Sequence, residues 1–180
     1  SNILNFSCEY YDPCPRIGTY YWRVRGIDDD GQPIGVYSDA EKITNDPGNN
    51  YQVGIFGDSI SHGGGHMSYS PADFQFSYAH YLSFPTINLS ESGDTIEKMV
   101  KRFDTDVLPF SPKYLIIMGA SNSLRAGIPP DKIIVGLKIL QKKCYENGID
   151  PILLTLPTIN PYNIDKVFDE GTSSDWAYGF

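Results

Sequence analysis

With 180 residues, 41% hydrophobic and 20% charged, the chain holds enough apolar material for one full domain and a fragment of a second. Twenty-two acids against fourteen bases leave a net charge of −8, and no basic run follows a phosphate backbone, so nucleic acid is not an expected partner. The longest apolar runs fall far below a membrane span, which removes a membrane from the expected partners as well. Thirteen Tyr, nine Phe and two Trp make the chain aromatic-rich, as sugar-binding surfaces often are, although filling a core is the default use of such rings. Of the three cysteines, Cys144 falls on a helical apolar stripe and reads as a buried thiol. Cys8 and Cys14 are close enough for a small loop disulfide, and their spacing fits no zinc pattern.

Residues 1–44 read as all-β. Tyr20, Trp22 and Val24 alternate with Tyr21, Arg23 and Arg25, which makes one face apolar. Asp28-Asp29-Asp30-Gly31 supplies turn chemistry, and Gly35-Val36-Tyr37-Ser38 begins a return strand. The runs Tyr20–Gly26 and Gly35–Ser38 resemble the last two strands of a fibronectin type III module. A complete sandwich of that kind takes about seven strands, so only part of one is expected here. The resemblance implies an extracellular or cell-surface bacterial protein, since such modules accompany secreted polysaccharide-degrading enzymes.

Residues 45–50, Asn45-Asp46-Pro47-Gly48-Asn49-Asn50, form a linker by composition. From residue 51 to 180 the pattern becomes β-α-β-α-β-α-β. Strands are predicted at Gln52–Phe56, Thr86–Leu89, Tyr114–Met118 and Pro151–Leu156. One helical stretch covers Ala72 to Leu82. Ile96, Met99, Val100, Phe103 and Val107 define one face of a second helix, and Ile133, Leu137, Leu140 and Cys144 one face of a third, opened by Pro130-Asp131 and closed by Asn147-Gly148. Strands alternating with helices imply an α/β fold with a parallel sheet covered on both faces.

Three polar blocks end three successive strands: Gly57-Asp58-Ser59, then Asn88-Leu89-Ser90-Glu91-Ser92-Gly93-Asp94-Thr95, then Gly119-Ala120-Ser121-Asn122-Ser123. In a parallel sheet all three emerge at one edge, where such sheets place their chemistry. Ser59 is positioned to attack an ester carbonyl, which requires donors for the charge that develops on oxygen. Gly93 offers a main-chain N–H free of side-chain obstruction, just ahead of a helix that Asp94 and Glu97 are expected to open as a capping box. Asn122 offers a side-chain amide, and the N–H of Ser59 itself is a third donor.

These blocks closely resemble the first three of the SGNH (GDSL) hydrolases, over residues 51 to about 160. The resemblance implies a three-layer α/β/α sandwich of flavodoxin-like type. It further implies Ser59 as nucleophile, Gly93 and Asn122 completing the oxyanion hole, and hydrolysis of esters or thioesters without metal or other cofactor. Two departures stand out. Ser123 occupies the place of an acid common in the family's third block, a change expected to alter loop support more than chemistry. The family's closing Asp-x-x-His, which supplies the general base, is absent, so the chain reads as lacking the C-terminal part of the domain, and activity of this piece alone is expected to be impaired.

His62, three residues past Ser59, and His66, after the Gly63-Gly64-Gly65 run, are assigned to substrate contact or loop structure at the pocket mouth. Without carboxylate or cysteine partners at ligand spacing they make no metal site. Tyr69, Phe74, Phe76 and Tyr78 are candidates for an aromatic sugar platform, with core packing as the default. The leading expectation is a serine esterase acting on an acetyl or other small acyl ester, on a carbohydrate by analogy with the fibronectin-like segment. A lipid or thioester acyl hydrolase on the same fold, and a silent binding or scaffold module that has lost its base, are the alternatives.

Overall fold

A computed structural model describes residues 17–63 and 77–157. Cys8, Cys14, His66, Tyr69, Phe74, Phe76 and the last block, Asp175–Phe180, lie outside them.

In the N-terminal segment β1 (Gly18–Trp22) pairs antiparallel with β4 (Glu41–Asn45), and the short β2 (Gly26–Ile27) pairs with β3 (Pro33–Ile34). The turn between β2 and β3 forms where the aspartates predict it: Asp28 Oδ1 accepts from the N–H groups of Asp30 and Gln32, and Gly31 takes φ +78. The return strand differs from expectation. It runs over Glu41–Asn45, into the predicted linker, and Gly35–Ser38 forms no strand. The reason is local: Gly35 adopts φ +72, and Tyr37 lies under the guanidinium groups of Arg23 and Arg25, at 3.9 and 4.6 Å. Trp22 and Val24 both remain 48% exposed, so the apolar face is left uncovered among the described residues.

A capped turn, Pro47–Asn49, leads into the second segment, where β5 (Val53–Gly57), β6 (Thr86–Asn88), β7 (Tyr114–Met118) and β8 (Asp150–Leu153) form a parallel sheet in the order β6-β5-β7-β8. Each lies within a residue or so of its predicted start. The helices are α1 (Ser59–His62), α2 (Ile96–Asp106), α3 (Ser121–Arg125) and α4 (Pro130–Glu146).

The period-two alternation of the strands divides the core. Phe56, Leu115 and Ile117 face one way and pack with Ile96, Met99 and Phe103 of α2 and Ile133, Leu140 and Cys144 of α4. Ile55 and Ile116 face the other way, onto Ala79, Tyr78 and Leu82. The sheet is therefore covered on both faces, as an α/β fold requires. Cys144 is fully buried, which pushes its thiol up to about 11. Of the helix predicted over Ala72–Leu82, residues 72–76 lie outside the described part. The remainder is a single 3₁₀ turn, Tyr78–Tyr81, capped by Ser77, and Leu82 is already extended. Pro85 close behind does not permit a helix to continue through Phe84.

Candidate active site

β5 has β6 on one side and β7 on the other, so the chain leaves β5 in one direction and returns across it to the other. The carboxyl end of β5 is thus the switch point where open α/β sheets leave a crevice. Gly57 is the last residue of that strand, and only glycine fits there: a Cβ would lie 2.1 Å from the Met118 carbonyl oxygen and 2.4 Å from Ser61 Oγ.

Asp58 turns the chain from strand to helix. Its Oδ1 accepts from the Ile60 N–H at 3.1 Å, capping α1, and its Oδ2 accepts from Ser121 Oγ at 2.5 Å. The carboxyl is fully buried, and that burial raises its pKa in spite of these bonds. Ser59 follows as the first residue of α1, half-buried, and among the described residues its hydroxyl has no hydrogen-bond partner. Ser61, by contrast, is fully buried and donates to the Met118 carbonyl at 3.3 Å, and Ser121 is engaged by Asp58. Ser61 is thus withdrawn from solvent and the Ser121 hydroxyl is already engaged, unlike that of Ser59.

The second loop is tied to the first through the main chain. Glu91 N–H donates to the Gly57 carbonyl at 3.1 Å, and Asn88 Nδ2 donates to the Ser61 carbonyl at 3.1 Å. Gly93 takes φ +85, is exposed, and among the described residues its N–H meets no acceptor. The capping residue of α2 is not Asp94, as the sequence suggests, but Thr95, whose Oγ1 accepts from the Lys98 N–H at 3.5 Å. Asp94 is drawn inward to Arg102: its Oδ2 accepts from Arg102 Nε at 2.5 Å, and it is 1% exposed. Burial outweighs the guanidinium and raises the Asp94 carboxyl to about 6.

The third loop closes the ring. Asn122 Nδ2 donates to the main-chain carbonyl of Asp94 at 2.9 Å, which uses one of its two amide hydrogens. Ser123 Oγ, fully buried, accepts from the Ile96 N–H at 2.8 Å and so satisfies one of the open donors at the start of α2. Ser123 therefore ties the third loop to the start of α2. Ala120, just before, is held at φ +116, a conformation that an L side chain adopts only under constraint. Two hydrogen bonds, Ser121 to Asp58 and Asn122 to Asp94, therefore link the immediate neighbours of Ser59, Asn122 and Gly93 across three loops.

His62 closes α1 with its ring partly buried, which lowers its pKa, while nearby Glu91 works in the opposite direction. His66 lies outside the described residues. Among the described residues no three His, Cys, Asp or Glu side chains are grouped to hold a metal ion, and no helix is long and apolar enough to cross a membrane. A groove of about 350 Å³ lined by Tyr51, Val53, Phe84, Pro85 and Tyr114 sits at the amino ends of the strands, the edge opposite Ser59.

Arg102 escaped the reading of the sequence. Its signal was there: Asp94, Lys98, Arg102 and Asp106 recur at intervals of four, a polar line along α2 with an acid at each end.

Solved structures resemble the chain over part of their length. A protein from Bacteroides fragilis assigned as an acylhydrolase shares 25% identity (TM-score 0.45; 59% of this chain, 49% of that one). A GDSL-like lipase from Bacteroides thetaiotaomicron shares 20% (TM-score 0.45; 64% and 54%). A Streptococcus pneumonia protein assigned to platelet activating factor shares 15% (TM-score 0.50; 67% and 53%) and has the same fold. The chain spans about half the length of these proteins, 49% to 54%. No curated protein is significantly similar to it in sequence. Residues 55–172, well over half of the chain, match the GDSL-like lipase/acylhydrolase family, to which this protein belongs.

Proposed function

We propose that the protein is a serine esterase in which Ser59 attacks the carbonyl carbon of a small acyl ester. In the first half-reaction Ser59 Oγ bonds to the acyl carbon, and the bond from that carbon to the alcohol oxygen breaks. The serine proton passes to a general base and from it to the departing alcohol. Water then cleaves the acyl-serine, releasing the acid and restoring the hydroxyl. During both steps the carbonyl oxygen carries negative charge, for which the N–H groups of Ser59 and Gly93 and the second amide hydrogen of Asn122 are the donors. The observation that carries this reading is the pair of hydrogen bonds joining the neighbours of these three residues, with Gly93 N–H and Ser59 Oγ both left unengaged among the described residues.

The base is a histidine other than the three in this sequence, and His62 and His66 contact substrate. The acyl group is acetyl and the alcohol a carbohydrate; the sequence resemblance of Tyr20–Gly26 and Gly35–Ser38 to fibronectin type III strands is what favours a polysaccharide. Replacing Ser59 by Ala in the longest natural form of the protein should lower p-nitrophenyl acetate hydrolysis by a factor on the order of 10⁴ or more. Equal rates would remove Ser59 as nucleophile. Acetyl esters should exceed longer acyl esters by about tenfold or more per added pair of methylenes. A rate rising with acyl length would point instead to the lipid or thioester reading.

A further inference from the structure

Arg102 makes more bonds than any ion pair needs. Its Nε donates to Asp94 Oδ2 at 2.5 Å, Nη1 to the Leu89 carbonyl at 2.6 Å and to Asp106 Oδ2 at 3.1 Å, and Nη2 to the Gly57 carbonyl at 3.2 Å. The guanidinium carbon lies 4.2 Å from the centre of the Phe56 ring, and only 11% of the side chain is exposed. Two of the four acceptors, Gly57 and Leu89, are main-chain carbonyls where the chain leaves β5 and β6, two residues ahead of Ser59 and four ahead of Gly93. Another of the four, Asp94, holds the Asn122 amide with its own carbonyl.

We infer that Arg102 is a positioning residue for the proposed hydrolysis: one rigid fork fixes the loops carrying Ser59 and Gly93 relative to each other and, through Asp94, aims the amide of Asn122. The inference rests on the reading of Ser59, Gly93 and Asn122 given above. A planar guanidinium can serve these directions at once, and a lysine ammonium on the same stem cannot. Arg102→Lys keeps a positive charge beside Asp94 and an aliphatic stem over Phe56, but loses at least one of the two carbonyls.

The test uses Arg102→Lys and Arg102→Gln in the longest natural form of the protein, with Ser59→Ala alongside. For Arg102→Lys, kcat on p-nitrophenyl acetate should fall on the order of 10²-fold with KM within about twofold, the signature of displaced transition-state donors. The ¹⁵N–¹H side-chain signals of Asn122 should move in both Arg102 variants, a readout that needs no turnover. An unchanged kcat and unmoved Asn122 signals in a folded variant overturn the inference. If those hold while Ser59→Ala is dead, only the positioning role fails; if Ser59→Ala retains full activity, the esterase reading fails and the inference with it.

Discussion

One amide hydrogen of Asn122 goes to the Asp94 carbonyl, so only the other remains for a substrate oxygen. The residue is therefore both donor and strut, and its replacements separate the two roles. Asn122→Ala should lower kcat about 10²–10³-fold with little change in KM, the range found when one donor to a developing oxyanion is lost. Stability should fall by only about 1 kcal/mol, because the bond to Asp94 is a single neutral one. Asn122→Asp should be worse than Ala, since a carboxylate would face both the Asp94 carbonyl and the charge forming on the substrate. Steady-state kinetics with thermal unfolding on the same samples checks both. Ser59, Gly93 and Asn122 were singled out by the polar blocks that follow three strands, and those strands form near the predicted positions, side by side in one parallel sheet. Asp94 was misread as a cap because its carboxylate obeys Arg102, eight residues on, rather than the nearest N–H. A partner reached across a turn of helix and a loop leaves no short-range pattern.

At the scale of elements, α2 and α4 were legible to within a residue, because their apolar stripes are long and all of Ile96, Met99, Phe103, Ile133, Leu140 and Cys144 are buried. The hairpin strands and the 3₁₀ turn were not, because so short an element is decided by single glycines and prolines and by side chains stacking from elsewhere. The contact between the two long helices also depends on a residue that periodicity ignores. Gly136 sits on the buried face of α4, and a Cβ there would come within 2.4 Å of Ile96 Cγ1. Helix propensity alone says that Gly136→Ala should stabilise by about 1 kcal/mol. Overpacking a full core costs about 1–3 kcal/mol. The clash should win, because Ile96 is the first residue of α2 and its N–H is pinned by Ser123 Oγ, so it has little room to retreat. Gly136→Ala should thus lower the urea midpoint at unchanged slope. A raised midpoint would mean that α2 moves freely, and the third loop with it.

For the whole molecule the telling property is how stability varies with pH, because the ring of loops buries acids that ordinary domains leave in water. Asp94 holds its proton up to about 6 in the folded chain, against 3.8 as a free side chain, with burial the largest cause and Arg102 acting against it. Between those values the folded state binds more protons than the unfolded one, so this group's contribution is fully present below 3.8 and is lost as pH rises through about 6. Asp58, also raised by burial, has the same sign. His62 has the opposite one: its pKa is lowered from 6.5, so below that value the unfolded state binds more protons and stability rises with pH. The net profile mixes all three, and a neutral partner for Asp94 separates them. Asp94→Asn keeps an acceptor for Arg102 Nε and cannot titrate. The charges that shift Asp94 are those of Arg102, Glu91 and Lys98, so the contributions of Asp58 and His62 cancel between the two proteins. Unfolding free energy by urea, wild type minus Asp94→Asn, should fall steadily from pH 3.8 to about 6 and then level off. A difference that instead climbs up to about pH 3.8 and stays level above it would mean that the guanidinium, not burial, governs Asp94, and that the acid joining the second and third loops is ionised from there upward.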